Sequence, residues 1–182
     1  MSTTFLNYWH WFFYGSGDRP GYTRILNKWI MVHLVVGVVL SLLVQITLES
    51  SASTVLFPLA GIFVALTFAW AGNTMALMQS QEMKELAKHR PGGFAEYVFT
   101  YQTAILVILV TLVLWGLAGL KIYDMAWPGS KAKILYFMVK AFLFSLSSLT
   151  LRECWHVVMG AQWMLLVQRE IKDRMEQGKK NE

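Results

Sequence analysis

Charged residues are scarce in this sequence, and the usual signatures of enzymes are missing. Asp, Glu, Lys and Arg together make 15% of the 182 residues, against about 25% in an average soluble domain. A single cysteine, Cys154, excludes an intrachain disulfide and CxxC redox chemistry. The sequence contains no Gly-x-Ser-x-Gly elbow, Walker loop, HExxH pair or paired membrane carboxylates. The chain is therefore not expected to be an enzyme, and we expect neither a cofactor nor a metal ion.

The sequence instead contains long runs that are almost free of charge. Apolar residues make 55% of the chain. Three runs each hold about 18 or more residues with almost no charge, which at 1.5 Å per residue nearly match or exceed a hydrocarbon core of about 30 Å. A fourth run, 134–167, is longer. We predict an all-α, polytopic membrane protein with four transmembrane helices, at about residues 29–48, 54–78, 103–120 and 133–152.

The fourth run leaves two interpretations open, one long helix or a broken one. It is too long for one upright crossing and too short for two crossings with a turn. Because no Gly-Pro pair interrupts it, we favour one helix that crosses the bilayer and continues to residue 168. Lys140 would then reach the outer boundary with its long side chain. The predicted organisation is a cytoplasmic or interfacial segment 1–28, a transmembrane domain 29–168 and a basic cytoplasmic tail 169–182.

The basic residues fall mainly in alternate loops. Eleven of the sixteen lysines and arginines lie in the segments 19–28, 84–90 and 169–180, and three lie in 121–133. The positive-inside rule then places both termini and the 79–101 segment in the cytoplasm of a multi-pass protein of the cell (inner or plasma) membrane. The net charge of +5 is interpreted as this topology signal, and nucleic acid is not an expected partner. A cytoplasmic protein or ligand at the basic extensions is an alternative.

An aromatic segment, 5–14, precedes the first predicted span and is too short to cross a bilayer. Tyr and Trp side chains favour the headgroup boundary, because the ring and the polar tip are both accommodated there. We predict an interfacial helix on the cytoplasmic leaflet, anchored by Tyr8, Trp9, Trp11 and Phe12. A plug or a contact between protomers is the alternative for the same residues.

Small residues follow one face of the second predicted span. They recur at steps of three and four: Gly61, Ala65, Ala69, Gly72 and Ala76. In lipid such a face lets two helix backbones approach closely. We predict a helix-packing or oligomer face, with its partner in the same chain or in a neighbouring protomer. His33 and Gln45, in the first span, are predicted to form interhelical hydrogen bonds.

A polar stripe crosses the apolar surface of the fourth run. Its residues follow at steps of three, four and four, on one face of a helix: Ser145, Ser148, Arg152 and His156. One interpretation is the lining of an aqueous path, with Arg152 favouring anions, His156 titrating near neutral pH and Asn73 at the cytoplasmic mouth. In the other, the helix leaves the membrane there, so that Arg152 snorkels, Glu153 pairs with a basic neighbour and His156 packs.

The small number of predicted spans bears on function. Four helices with short connections enclose little volume in one copy, and the internal repeats typical of transporters are absent. We therefore expect a homo-oligomeric membrane channel or membrane-permeabilising effector that is gated from the cytoplasm. The alternative is a non-catalytic structural or regulatory membrane subunit that docks a soluble cytoplasmic partner. The expected partners are the lipid bilayer and further copies of the chain.

Overall fold

The regular structure of the described residues is entirely helical. A computed structural model describes residues 2–15, 20–58, 60–61, 64–65, 67–69, 72, 93–123 and 132–180. The helices are α1 (Ser2–Tyr14), α2 (Ile30–Leu43), α3 (Leu48–Ser51), α4 (Gly93–Gly119) and α5 (Ala132–Lys180), with a 3₁₀ turn at Gly21–Arg24 and a π-helical turn at Ala52–Leu56. The described residues between 57 and 72 are helical as well. The all-α prediction is confirmed for this part of the chain.

Two of these helices are long and apolar enough to cross a membrane. They hold the segments Val98–Gly119, of 22 residues, and Lys133–Arg174, of 42 residues. A third span arises if α2 and the helix that begins at Leu48 count as one, although the two are bent by 113°. The described residues thus provide two or up to three spans. The number of four stays a prediction, because much of the segment 54–78 lies outside the described residues.

The first predicted span ends earlier than its apolar run. The α2 helix has 14 residues and ends at Leu43, where Val44 takes an extended conformation. Lys140 of α5 is buried, and its Nζ donates to the carbonyl oxygens of Val44 and Ile46. A cation at the carboxyl end of a helix is favoured by the helix dipole. Lys140 therefore binds backbone carbonyls of the protein, a role that the snorkelling prediction did not include.

The α5 helix is continuous over 49 residues, which corresponds to about 74 Å at 1.5 Å per residue. The prediction of a single helix over 134–167 is therefore confirmed. The helix continues to Lys180, so most of the segment predicted as a basic tail is also helical. A hydrocarbon core is only about 30 Å thick, so an upright α5 would extend well beyond it.

The described chain divides into two compact units. Unit 1 comprises residues 1–23, 66–103 and 155–182, and unit 2 comprises residues 24–65 and 104–154. The core of unit 2 is apolar and centres on a few buried side chains: Leu48, Ala52, Trp115, Ala118, Leu143 and Phe144. At one end of unit 2, Lys121 Nζ lies 3.0 Å from Glu49 Oε2. The ion pair joins two connections that the predicted topology places on the same, outer side.

Candidate functional site

Gly37 brings the backbone of α2 directly against α5. A Cβ atom at position 37 would lie 2.5 Å from the carbonyl oxygen of Ala141 and 2.6 Å from the amide nitrogen of Ser145. Ser145 is buried, and its hydroxyl donates to the Ala141 carbonyl at 2.7 Å. The first residue of the polar stripe is thus a packing residue whose hydroxyl is satisfied within its own helix.

His33 joins α2 to α5 one turn before Gly37. Its Nδ1 lies 2.8 Å from the hydroxyl oxygen of Ser148, the second residue of the stripe. An interhelical hydrogen bond was the predicted role of this histidine, and it is confirmed. Gln45, for which the same was predicted, is exposed.

Two further hydrogen bonds join α4 to α5. The Trp115 Nε1–H donates to the Ser147 hydroxyl at 2.8 Å. The Thr111 and Thr150 hydroxyl oxygens lie 2.8 Å apart. Because the Thr111 hydroxyl also donates to the Val107 carbonyl, Thr150 is the donor of that pair. Polar side chains buried among apolar helices are costly unless they are bonded, and these groups are bonded to one another.

These interhelical hydrogen bonds border a cavity of about 380 Å³ in unit 2. The rest of the lining is apolar and comes from α2, the helical residues that follow Ala52, α4 and α5; it includes Val36, Leu40, Leu56, Ala60, Leu112 and Leu151. The four hydroxyls on the walls are those of Thr111, Ser147, Ser148 and Thr150, and each has a hydrogen-bond partner. The cavity is therefore an apolar space with no unbonded hydroxyl on its described walls.

The cavity is partly open to its surroundings, and its walls gain dispersion contacts when apolar groups fill it. Water does not fill such a space readily, because a water molecule needs two or more polar partners. The walls therefore favour an apolar occupant.

Arg152 and Glu153 form an ion pair at the end of unit 2. The Nε and Nη2 groups of Arg152 donate to Glu153 Oε1 at 3.0 and 2.6 Å. Nη2 also donates to the Arg24 carbonyl at 3.3 Å. The side chains are only 15% and 12% exposed, and Arg152 Nη1 is buried with no partner among the described residues. The second interpretation of this stretch predicted that Glu153 pairs with a basic neighbour. That neighbour is the adjacent residue, Arg152.

The structure places three of the five predicted pore-lining residues in one unit. Ser145, Ser148 and Arg152 lie along α5 in unit 2, whereas His156 belongs to unit 1. His156 is exposed, so the alternative in which it packs is not what the structure shows. Asn73 lies outside the described residues. A pore-lining role for these residues stays a prediction.

The small residues of the predicted packing face are exposed in the part of the chain that the structure describes. Gly61, Ala65, Ala69 and Gly72 are helical and exposed, and no described atom lies within 4 Å of a Cβ atom placed on Gly61 or Gly72. The fifth residue, Ala76, lies outside the described residues. None of the described parts of the chain therefore packs closely on the two glycines of this face.

Two of the four predicted aromatic anchors are buried in unit 1. Tyr8 and Trp11 are 7% and 4% exposed, whereas Trp9 and Phe12 are partly buried. The Tyr8 hydroxyl lies 3.1 Å from Thr103 Oγ1, and the Trp11 ring centroid lies 5.5 Å from that of Phe99. The aromatic segment thus packs on α4, and its role as a membrane anchor stays a prediction.

Sequence reasoning missed Gly37 and Lys140 as contact residues. A signal existed for Gly37, since Gly37 and the buried Ser41 form a small-xxx-small pair of the kind that brings membrane helices together. For Lys140 there was none, because its partners are remote in the sequence. No family model matches this chain, and no curated protein or solved structure matches it either. Its function is therefore inferred from the contacts described above.

Proposed function

We propose that this protein is a homo-oligomeric membrane channel or membrane-permeabilising effector that is gated from the cytoplasm. The observation that supports it is the exposure of the small residues of the predicted face, Gly61 and Ala65 in unit 2 and Ala69 and Gly72 in unit 1. Lipid tails are as apolar as leucine, so helices in a bilayer associate through close packing rather than through removal of apolar surface. Because no described part of the same chain packs on the glycines of this face, a second copy is the partner that we propose for it.

The polar groups of unit 2 support a conduction path between copies rather than within one. Hydrogen bonds to residues of α5 or α4 occupy the polar groups of His33, Thr111 and Trp115. The neighbouring cavity is apolar. An ion needs charged groups, carbonyls or water along its path. The walls of this cavity do not provide them, so the proposed path lies where the copies meet.

The experiment replaces one small residue of the predicted face. In Ala69→Leu the larger side chain keeps two backbones apart, and we expect the oligomer to dissociate and ion flux in liposomes to be lost. Phe68→Leu is the matched control, because Phe68 is the preceding residue, is 55% exposed and gains no bulk. Subunit number is measured in mild detergent by light scattering. A folded Ala69→Leu protein with the wild-type subunit number and flux would contradict the proposal.

The α5 extension favours a second candidate, the subunit that docks a soluble partner. The exposed residues Arg169, Lys172 and Arg174 lie on a helix, and a charged helix is a surface on which a partner can dock. The two candidates differ in what the pure protein does. Flux through liposomes that contain only this chain supports the channel. Absence of flux, together with a soluble protein that co-purifies in fixed stoichiometry through α5, supports the docking subunit.

A further inference from the structure

We propose that the cavity of unit 2 binds one acyl chain of a membrane lipid. This inference is independent of the proposed channel. It rests on the cavity itself, whose walls come from α2, the helical residues that follow Ala52, and the two longest helices, α4 and α5. These two helices contain the segments that are long and apolar enough to cross a membrane.

The walls determine the chemistry of the occupant. Where polar side chains reach the cavity, their groups are bonded to neighbouring helices: Thr150 to Thr111, Trp115 to Ser147, and Ser148 to His33. A ligand with polar groups inside this space would find no free hydroxyl to bind. Most small-molecule sites place a few polar groups to orient their ligand. A saturated hydrocarbon chain needs none, and it gains dispersion contacts with every apolar wall.

The size of the cavity fits one chain. A water-sized group occupies about 30 Å³, so a cavity of about 380 Å³ has room for roughly a dozen such groups. That corresponds to most of one acyl chain. In the hydrocarbon region, lipid tails are also the apolar material that is always present.

Native mass spectrometry of the protein, purified in mild detergent, measures the bound chain. We expect one lipid adduct per protomer in the wild type. Ala60→Phe and Leu112→Trp each place an aromatic ring in the cavity and should lower the occupancy at least tenfold. Val113→Trp is the matched control, because Val113 is the next residue of α4, is 62% exposed and does not line the cavity. It should keep the adduct.

The mass of the adduct distinguishes the two sources of an acyl chain. A phospholipid mass and a free fatty acid mass both agree with the proposal. A wild-type protein without any acyl adduct would overturn it. So would two cavity-filling variants that fold and still carry the adduct at the occupancy of Val113→Trp.

A second measurement locates the chain and does not depend on detergent. Trp115 lines the cavity and is only 3% exposed, so bulk lipid has little access to its indole. In bilayers with brominated acyl chains, the tryptophan fluorescence is quenched by nearby bromine. The difference in quenching between the wild type and Trp115→Phe gives the contribution of Trp115. We expect this contribution to be large in the wild type and at least threefold smaller in the Ala60→Phe background. Quenching of Trp115 that is absent, or equal in both backgrounds, would show that no chain enters the cavity.

Discussion

At the scale of single residues, the helices of unit 2 are held together by individual hydrogen bonds and by close packing of their backbones. A hydrogen bond between membrane helices contributes only about 0.6 kcal/mol on average, so the bonds of His33 and Trp115 do not by themselves explain a stable fold. Close packing of the backbones adds to them. Gly37 is a point of close contact between α2 and α5, since a Cβ atom there would meet the Ser145 hydroxyl oxygen and lie 2.5 Å from the Ala141 carbonyl oxygen.

The contrast between two glycines tests this contact. In Gly37→Ala the added methyl group meets the Ala141 carbonyl and the backbone of Ser145, so α2 has to move away from α5. We expect a loss of about 1–3 kcal/mol in the free energy of unfolding. Gly116→Ala is the matched control, because nothing lies within 4 Å of a Cβ atom there and alanine favours a helix by about 1 kcal/mol.

Reversible unfolding in mixed detergent measures both variants. The expected order of stability is Gly116→Ala at or above the wild type and Gly37→Ala below it. Equal unfolding midpoints for the two alanine variants would mean that α2 and α5 do not touch at Gly37.

The ion pair of Arg152 and Glu153 leads to a different prediction, on the selectivity of the proposed channel. Glu153 Oε1 accepts two hydrogen bonds from the guanidinium, so the pair contributes little net positive potential. Arg152→Ala should lower the anion preference. Glu153→Gln removes the compensating charge and should raise it, because Arg152 then stands uncompensated beside the path.

The reversal potential under a salt gradient gives the sign of each effect. Glu170→Gln is the control, since it breaks an exposed Arg–Glu pair of the same helix, Arg174 with Glu170, and should leave selectivity unchanged. An anion preference that is indifferent to both Arg152→Ala and Glu153→Gln would assign the pair a purely structural role.

At the scale of the helices, Lys140 binds the carboxyl end of α2. Its ammonium group donates to the carbonyls of Val44 and Ile46, and in Lys140→Met these acceptors lose a charged donor. A hydrogen bond to a charged group contributes about 1.5–3 kcal/mol. We therefore expect faster amide exchange in the last turn of α2 and a lower unfolding midpoint. Lys133→Met is the control, because Lys133 is exposed on the same helix; exchange that is equally slow in both variants would contradict this role.

The two helices α2 and α5 show how far the sequence reveals the fold. The continuity of α5 was predictable, because it depends on a local property, the absence of a Gly-Pro pair between 134 and 167. The end of α2 was not, because Lys140 and Val44 are 96 residues apart and the apolar run continues past Leu43. The candidate site also combines a predictable local part with contacts between residues that are remote in the sequence. Spacing alone placed Ser145 and Ser148 on one face, whereas their partners Gly37 and His33 became evident only from packing.

At the scale of the whole molecule, the predicted topology can be tested with single cysteines. The native Cys154 is buried, which keeps the background of thiol labelling low. Ser53 and Lys133 are exposed near the predicted outer connections, and Lys172 is exposed on the α5 extension. We expect an impermeant maleimide to label Ser53→Cys and Lys133→Cys in intact cells, and to label Lys172→Cys only after permeabilisation. Labelling of Lys172→Cys from outside would reverse the predicted orientation of α5.

The contact between Lys140 and the end of α2 also has a consequence for the order of biosynthesis. The donor is made 96 residues after Val44, and at about 5–20 residues per second the ribosome needs roughly 5–20 seconds to reach it. During that interval the newly made α2 has a carboxyl end without its cation and, with 14 residues, is about 21 Å long, shorter than the hydrocarbon core. We therefore expect α2 to reach its final contacts only after Lys140 of α5 has been translated.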